Sequence, residues 1–466
     1  MPAIAHSLLQ TLVFVVDRVM LGRHGEASLA AMQIGGALEW SIWSVFAAFE
    51  VGTIARVGRH VGAGDRAGAR RVAWLSLAMA VALGVALALA TPLVLAALPL
   101  VTASVSDAAM SEARAYLGVT IAASPLVFIA ATSTATLQAG GDTRTPLVIG
   151  VVANVVHVAL NRALILGAFG VIPAMGARGA GVSTAVTFAI EAALATLALT
   201  SRARGVSLRA DVVSPGAAAG SGAAAGAGAA SAGSASAAGA VSRAVKGEAR
   251  ELVRVGVPAF LERVIYHVGF MVYAFVVVRL GDAAMAANQS LISVESICFL
   301  SADGFGVAAA ALVAQKLGAG KPDEARSAAW IAARYAVLTL TSFGLGALAL
   351  RDVILPIFSD DAQVTAIGRS AMPVLAVAQP FMATGLVLAQ ALRGAGKTRQ
   401  ALGVSMLGAV FVRLTATWLF TIVAGLGLVG VWMGSTTDWF VRAAILVTLF
   451  RRPPAARPPR SAPLIE

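Results

Sequence analysis

Long apolar blocks, broken by short stretches of Gly, Pro and charge, run from the first residues to about residue 450. Each is about 20 residues or more, which at 1.5 Å of rise per residue crosses a hydrocarbon core of roughly 30 Å as an α-helix. The ten-residue alternation of a transmembrane barrel strand is not visible. The pattern predicts twelve helices. Six lie at about 3–22, 31–57, 72–98, 115–138, 146–169 and 179–201. Six more lie at about 252–279, 287–315, 328–350, 370–392, 400–424 and 427–450. Between the two sets, residues 202–250 contain a tract of almost pure Ala, Gly and Ser at about 216–240. It has too little bulk to pack, and each glycine costs about 1 kcal/mol against a helix, so it reads as a flexible tether.

The two sets resemble each other. VGRHVGAGDRAGARRVAW (57–74) lies over VAQKLGAGKPDEARSAAW (313–330) at an offset of 256 residues. The same offset sets GEASLAAMQ (25–33) over GDAAMAANQ (281–289) and Glu39 over Glu295. At an offset of 255, LQAGGDTR (137–144) lies over LRGAGKTR (392–399). The chain is a duplicated six-helix unit. Because six is even, both copies enter the membrane from the same side, which makes the repeat parallel. The expected fold is all-α and integral to the membrane, with twelve transmembrane helices in two six-helix lobes. The expected domains are a lobe at 1–201, a linker at 202–250, a second lobe at 251–450 and a tail at 451–466.

Composition agrees. Of 466 residues, 58% are hydrophobic and 12% charged, the latter about half of the roughly 25% usual in soluble domains. A net charge of +12 would suggest a nucleic-acid partner in a soluble chain. Here Lys and Arg gather after the even-numbered helices and in the tail, and are sparse after the odd-numbered ones. That asymmetry places both termini and the linker in the cytoplasm, in the inner cell membrane, with the bilayer as partner and no nucleic acid. No obligatory protein partner is evident. The single cysteine, Cys298, excludes an intramolecular disulfide and a Cys-based metal site. The first apolar block starts almost at Met1, carries Asp17 and has no cleavage pattern behind it, so no removable leader is expected. There is no HExxH, nucleophile elbow or P-loop. The expectation is a protein that is not an enzyme and has neither a cofactor nor a metal centre.

Several segments in order carry a family resemblance: VDRVMLGRHGEASLAA in the first helix, GAGDRAGA after the second, LQAGGDTRTPL between the fourth and fifth, and NVVHVALNRALILGAFGVIPAMGARGAG across the fifth and sixth. In the second half, VPAFLERVIYHVGFMVYAFVVVRLGDAAMAANQSLISVESICF follows suit. With their duplication, these make the chain similar to the multidrug and toxic compound extrusion (MATE) transporters, in their NorM-like branch. The resemblance covers nearly the whole chain except the linker and the last fifteen residues. It implies a V-shaped pair of lobes that expels cationic or amphiphilic compounds in exchange for H⁺ or Na⁺. A lipid-linked oligosaccharide flippase of the same superfamily is the alternative within this class, and a membrane-embedded enzyme the alternative outside it.

An ionisable side chain inside a membrane helix needs a partner or a task. Asp17 is the acid of the first helix, and the resemblance gives it ion coupling. Arg18, about 100° round the helix, is a poor partner and is expected to reach outward. Asn154, His157 and Asn161 form one stripe of the fifth helix. They serve either as interhelical hydrogen bonds or as part of the ion site, the role that the resemblance implies. At position 157 the family usually has Asn. Histidine titrates near neutral pH, whereas Na⁺ prefers oxygen ligands, which favours H⁺. Glu262, four residues after Pro258, is a further ion-coupling candidate or is neutralised by Arg263. Glu39 and Trp43 share a face of the second helix, as Glu295 and Phe299 share one of the eighth. An acid beside an aromatic ring suits a cationic guest, so these four are substrate-binding candidates, with a duplicated structural role the other reading.

Overall fold

The computed structural model describes residues 17–18, 20–101, 106–168, 172–201, 206–208, 229–359 and 361–451. Helix occupies the described part of each predicted block. Of the first span the helical residues 17–18 and 20–24 are described. The second is split into Glu26–Ala47 and Glu50–Gly62, the third into Arg66–Leu89 and Thr91–Val101. The fourth, Asp107–Ala122 and Ser124–Ala139, bends by 51° where Pro125 enters. The fifth and sixth are Arg144–Ile165 and Gly176–Leu199. The seventh lies within Ala229–Val278, and the eighth is Asp282–Gly318. Pro322–Ala349 with Arg351–Phe358, Ala362–Gly394, a run from Thr398 to Val423, and Gly427–Arg451 complete the second lobe. Seven described helices are long and apolar enough to cross a membrane by themselves, or eight if the bent pair is one span. Outside helices, the described residues hold one isolated bridge, Ala168 to Ile172.

Local chemistry sets the helix starts. Asp65 caps Arg66–Leu89 by accepting from the Gly68 amide at 2.7 Å. Ser106 and Asp361 cap the fourth and tenth spans in the same way, each satisfying amides that would otherwise lack partners. The turns before spans three and nine repeat their geometry, Gly64 and Gly320 having φ of 74° and 73°, a region that glycine enters without strain.

One detail breaks the repeat. Past Thr398–Met406 the eleventh span widens into a π-helix at Leu407–Val412, a turn that accommodates an extra residue. The offset between the copies is 255 before this span, and 256 near its end. There a side chain on Gly179 would strike the Leu164 carbonyl, and one on Gly430 would strike that of Phe420. The extra turn absorbs the insertion and keeps both ends of the span in register.

The lobes meet at the end that carries the 62–66, 139–144, 318–322 and 394–398 turns. A Cβ on Gly62 would collide with the Gln315 carbonyl, and one on Gly318 with that of Arg59. Gln315 donates to the Ala139 carbonyl at 2.7 Å, and Arg59 to that of Ala395 at 3.1 Å. Ile54 and Ala135 of one lobe pack on Ala310 and Ala311 of the other.

The linker needs a correction. Its residues before 229 lie outside the described ones, apart from 206–208, but from Ala229 the chain is helical and runs unbroken into the seventh span. The high propensity of alanine outweighs the scattered glycines once the helix can extend one already packed. Glu248 on this extension accepts from Arg56 Nη2 at 2.7 Å and lies 3.1 Å from His60 Nε2, while His60 Nδ1 is 2.9 Å from Asp65. Burial alone would raise the Glu248 carboxyl, but hydrogen bonds to His60 and Arg56 and the charge of Arg56 prevail and hold it at about 2.

Candidate functional site

The first lobe brings Asp17, His157 and Asn161 together. Asp17 is 1% exposed, and His157 and Asn161 are fully buried. His157 Nε2 lies 2.7 Å from Asp17 Oδ1, and Asn161 Nδ2 donates to the same oxygen. On the far side of the ring, Nδ1 is 3.1 Å from Thr187 Oγ1, whose hydroxyl donates to the Ser183 carbonyl at 2.7 Å. Two acceptors do not rest 2.7 Å apart, so one proton lies between Nε2 and the Asp17 carboxyl, and Asn161 Nδ2 is also 2.9 Å from Nε2. Asn154 is on the same stripe but donates to its own helix, at the Gly150 carbonyl. Asn154 Oδ1 and Asn161 Oδ1 are buried without a hydrogen-bond partner.

Asp17 and His157 form part of the wall of a cavity of about 310 Å³ between the lobes. Five carboxylates line it, Asp17, Glu39, Glu50, Glu191 and Asp303, against one guanidinium, that of Arg263. Trp40, Trp43, Phe128, Phe188 and Phe299 supply aromatic surface. Glu39 is held by the Tyr116 hydroxyl, which donates to Oε2 at 2.5 Å, and Oε1 has no hydrogen-bond partner. Trp43 meets Phe188 edge to face at 5.2 Å. Acids that outnumber bases in a largely apolar wall, beside aromatic rings, form an arrangement that can attract a cation with apolar surface.

Comparison with known proteins places this architecture. The MatE family profile matches residues 2–162 and again 258–419, once per lobe. The chain belongs to the MatE family. It is 26% identical over 453 residues to a "Probable multidrug resistance protein NorM" of Thermotoga maritima, spanning 97% of this chain and 90% of that protein. A protein of the same printed name from Bradyrhizobium diazoefficiens is 27% identical over 97% of this chain and 91% of its own. Among solved structures, one described as the outward-facing conformation of a multidrug resistance MATE family transporter superposes with a TM-score of 0.81 at 19% identity. It covers 97% of this chain and 93% of that one. The shared fold is that of MatE proteins with twelve transmembrane helices in two repeated halves.

The other sequence candidates separate within this MatE fold. Glu262 does not reach Asp17. It is buried in the second lobe, where Arg393 donates to it through Nε at 3.2 Å and through Nη2, and Ser405 donates through its hydroxyl. Its ion-pair partner is therefore Arg393 rather than the adjacent Arg263. Phe299 faces the cavity. Glu295 is absent from that wall and lies within electrostatic reach of Arg413.

Hydropathy reading passed over Tyr116, Thr187 and Glu191, since hydroxyls and single acids blend into blocks of this kind, whereas Asp303, on the Glu295 and Phe299 face of the eighth helix, does line the cavity. It also passed over a buried group on the last two spans. Asp438 is fully buried and accepts from Arg413 Nε at 2.9 Å and from Arg442 Nη2 at 2.6 Å. Both guanidiniums lie over the Trp439 ring, at 5.6 and 4.7 Å. An acid and a base four residues apart inside an apolar block, Asp438 and Arg442, were the available signal.

Proposed function

We propose that the protein is a secondary active exporter of cationic, amphiphilic compounds, driven by an ion that the first lobe exchanges at Asp17. The observation that carries this is the fully buried Asp17–His157 contact of 2.7 Å in the wall of an acidic, aromatic cavity. The printed names of the relatives support the multidrug reading. H⁺ is the coupling ion favoured by His157. Na⁺ is the second reading, favoured by the unpartnered oxygens of Asn154 and Asn161, since hard cations take oxygen ligands.

In the cycle, the ion enters at Asp17 and biases the lobes towards the arrangement that frees substrate outward. Discharge on the opposite side restores affinity for the next molecule. The ion biases the lobes only by as much as it binds one arrangement better than the other. With the Lys- and Arg-rich turns placed in the cytoplasm, the contact between Gly62 and Gly318 closes that side, and the cavity belongs to the outward-directed arrangement. Purified protein in liposomes, loaded with a fluorescent organic cation under an imposed proton or sodium gradient, tests the reading. Wild type should accumulate the dye against its gradient, and Asp17→Asn should bind dye yet only equilibrate it. Uphill transport by Asp17→Asn would refute the assignment.

A further inference from the structure

The repeat sets a second polar group in register with the first. Beyond the π-helical turn, Arg413 stands 256 positions after His157. Spans six and twelve are offset by 251, because Gly176 and Gly427 open them with φ of 54° and 55°. Asp438 therefore occupies the place of Thr187, Trp439 that of Phe188, and Arg442 that of Glu191. The partnerships repeat as well, Arg413 bonding Asp438 as His157 contacts Thr187. Glu295 matches Glu39, and Tyr273 stands where the first lobe has Asp17.

The two copies differ in charge. Facing Asp17 are His157 and Asn161 of the fifth span, Thr187 of the sixth, Tyr116 of the fourth and Glu39 of the second. Arg18 points outward and is exposed, and Glu50, Glu191, Asp303 and Arg263 face the same cavity. Among the described residues the group bonded to Asp17 that can carry positive charge is one imidazole. In the second lobe, Asp438 and Glu295 face two guanidiniums, Arg413 and Arg442, with Tyr266, Tyr273 and Cys298 as the other titratable neighbours. Guanidinium keeps its charge at every pH that a membrane protein meets. Formal charges in the second cluster sum to zero with nothing bound, whereas in the first the acids outnumber the single imidazole bonded to Asp17.

We infer that the second lobe holds a copy of the ion site with its cation built in. Arg413 supplies permanently the positive charge that the Asp17–His157 pair takes from solution, so only the first lobe loads and unloads the coupling ion. This rests on the reading of Asp17 as the coupling carboxylate, and it assigns the asymmetry between the lobes to single residues.

The test uses the purified full chain in detergent. Melting temperature is followed across pH and across added NaCl against choline chloride, together with tryptophan fluorescence. Wild type should show one ion-dependent transition, lost in Asp17→Asn. His157→Arg, which copies the second lobe into the first, should also lose it while keeping a cooperative melt. Arg413→Gln leaves Glu295 uncompensated and should gain a second ion-dependent transition, reported by Trp439 and absent from the Arg413→Gln/Trp439→Phe double variant. Arg413→Lys keeps the charge and should match wild type. Absence of the second transition in a folded Arg413→Gln protein, or survival of the first in His157→Arg, would overturn the inference. If Arg413→Gln does not fold, a new transition in Arg413→Lys would overturn it too. A wild type indifferent to both ions would refute coupling at Asp17, and Arg413→Gln would still decide the charge argument alone.

Discussion

Single side chains carry the asymmetry of this protein. Glu39 and Glu295 are matched by the repeat and read alike in the sequence, yet Glu39 lines the cavity under Tyr116 while Glu295 faces Arg413. Glu39→Gln should therefore weaken binding of a cationic dye about tenfold, roughly 1.4 kcal/mol, and leave a neutral dye less affected. Glu295→Gln should spare both. Equal losses from the two variants in a fluorescence titration would contradict the placement. Asp17 and the fifth-span stripe were legible because a carboxylate and a file of amides stand out in an apolar block. Their partner Thr187 was not, since a threonine in a membrane helix most often bonds its own backbone, and only the fold brings it to His157. Glu262 shows the opposite limit. Its neighbour in sequence, Arg263, was the obvious partner, but the tenth span delivers Arg393 instead.

Helices and turns follow from the chain more directly. Block length, glycine turns and capping residues placed the spans, while the π-helical turn at Leu407–Val412 gives no compositional sign. It becomes visible only as the step in offset between the copies. Inserting one further residue between 412 and 413, beyond the turn that absorbs the first, should turn Arg413 by about 100° away from Asp438. Stranding a buried charge is strongly destabilising, so the insertion should sharply lower the melting temperature in detergent. The contact between turns is equally sensitive. Gly62→Val or Gly318→Val sets a branched side chain against a backbone carbonyl of the other lobe. Each should separate the lobes at that end, measured as a longer distance between spin labels on spans two and eight. Unchanged distances would show that the contact is not the closure.

Across the whole molecule, the helical extension from Ala229 ties the lobes together by more than covalent connection. Glu248 joins it to Arg56 and His60 of the second span. The carboxyl is held at about 2 rather than its ordinary 4.5. Its stabilising share is thus complete above pH 4.5 and is lost as pH falls towards 2. Because the group is partly exposed, solvent screens that contribution to about 1 kcal/mol or less. Glu248→Gln should lower the melting temperature by a few degrees at neutral pH, and the difference from wild type should vanish at the acid end of that window. The fold class, the repeat and the number of spans were readable from periodicity, because a bilayer demands long apolar helices. The extension was not, because its composition describes a tether and only the fold shows what Glu248 grips. A reporter fused near Ala225 should register in the cytoplasm, and one fused near Gly427 in the periplasm. Exchanged signals would reverse the orientation.

The one-residue step in the eleventh span also bears on ancestry. A dimer of identical six-helix chains would place any substitution in both halves at once, and a guanidinium at that position would lock every site together. Joining the copies in one gene removed that constraint. On the cycle proposed above, one half is then free to fix its charge as a permanent brace, while the other keeps the freedom to gain and lose it.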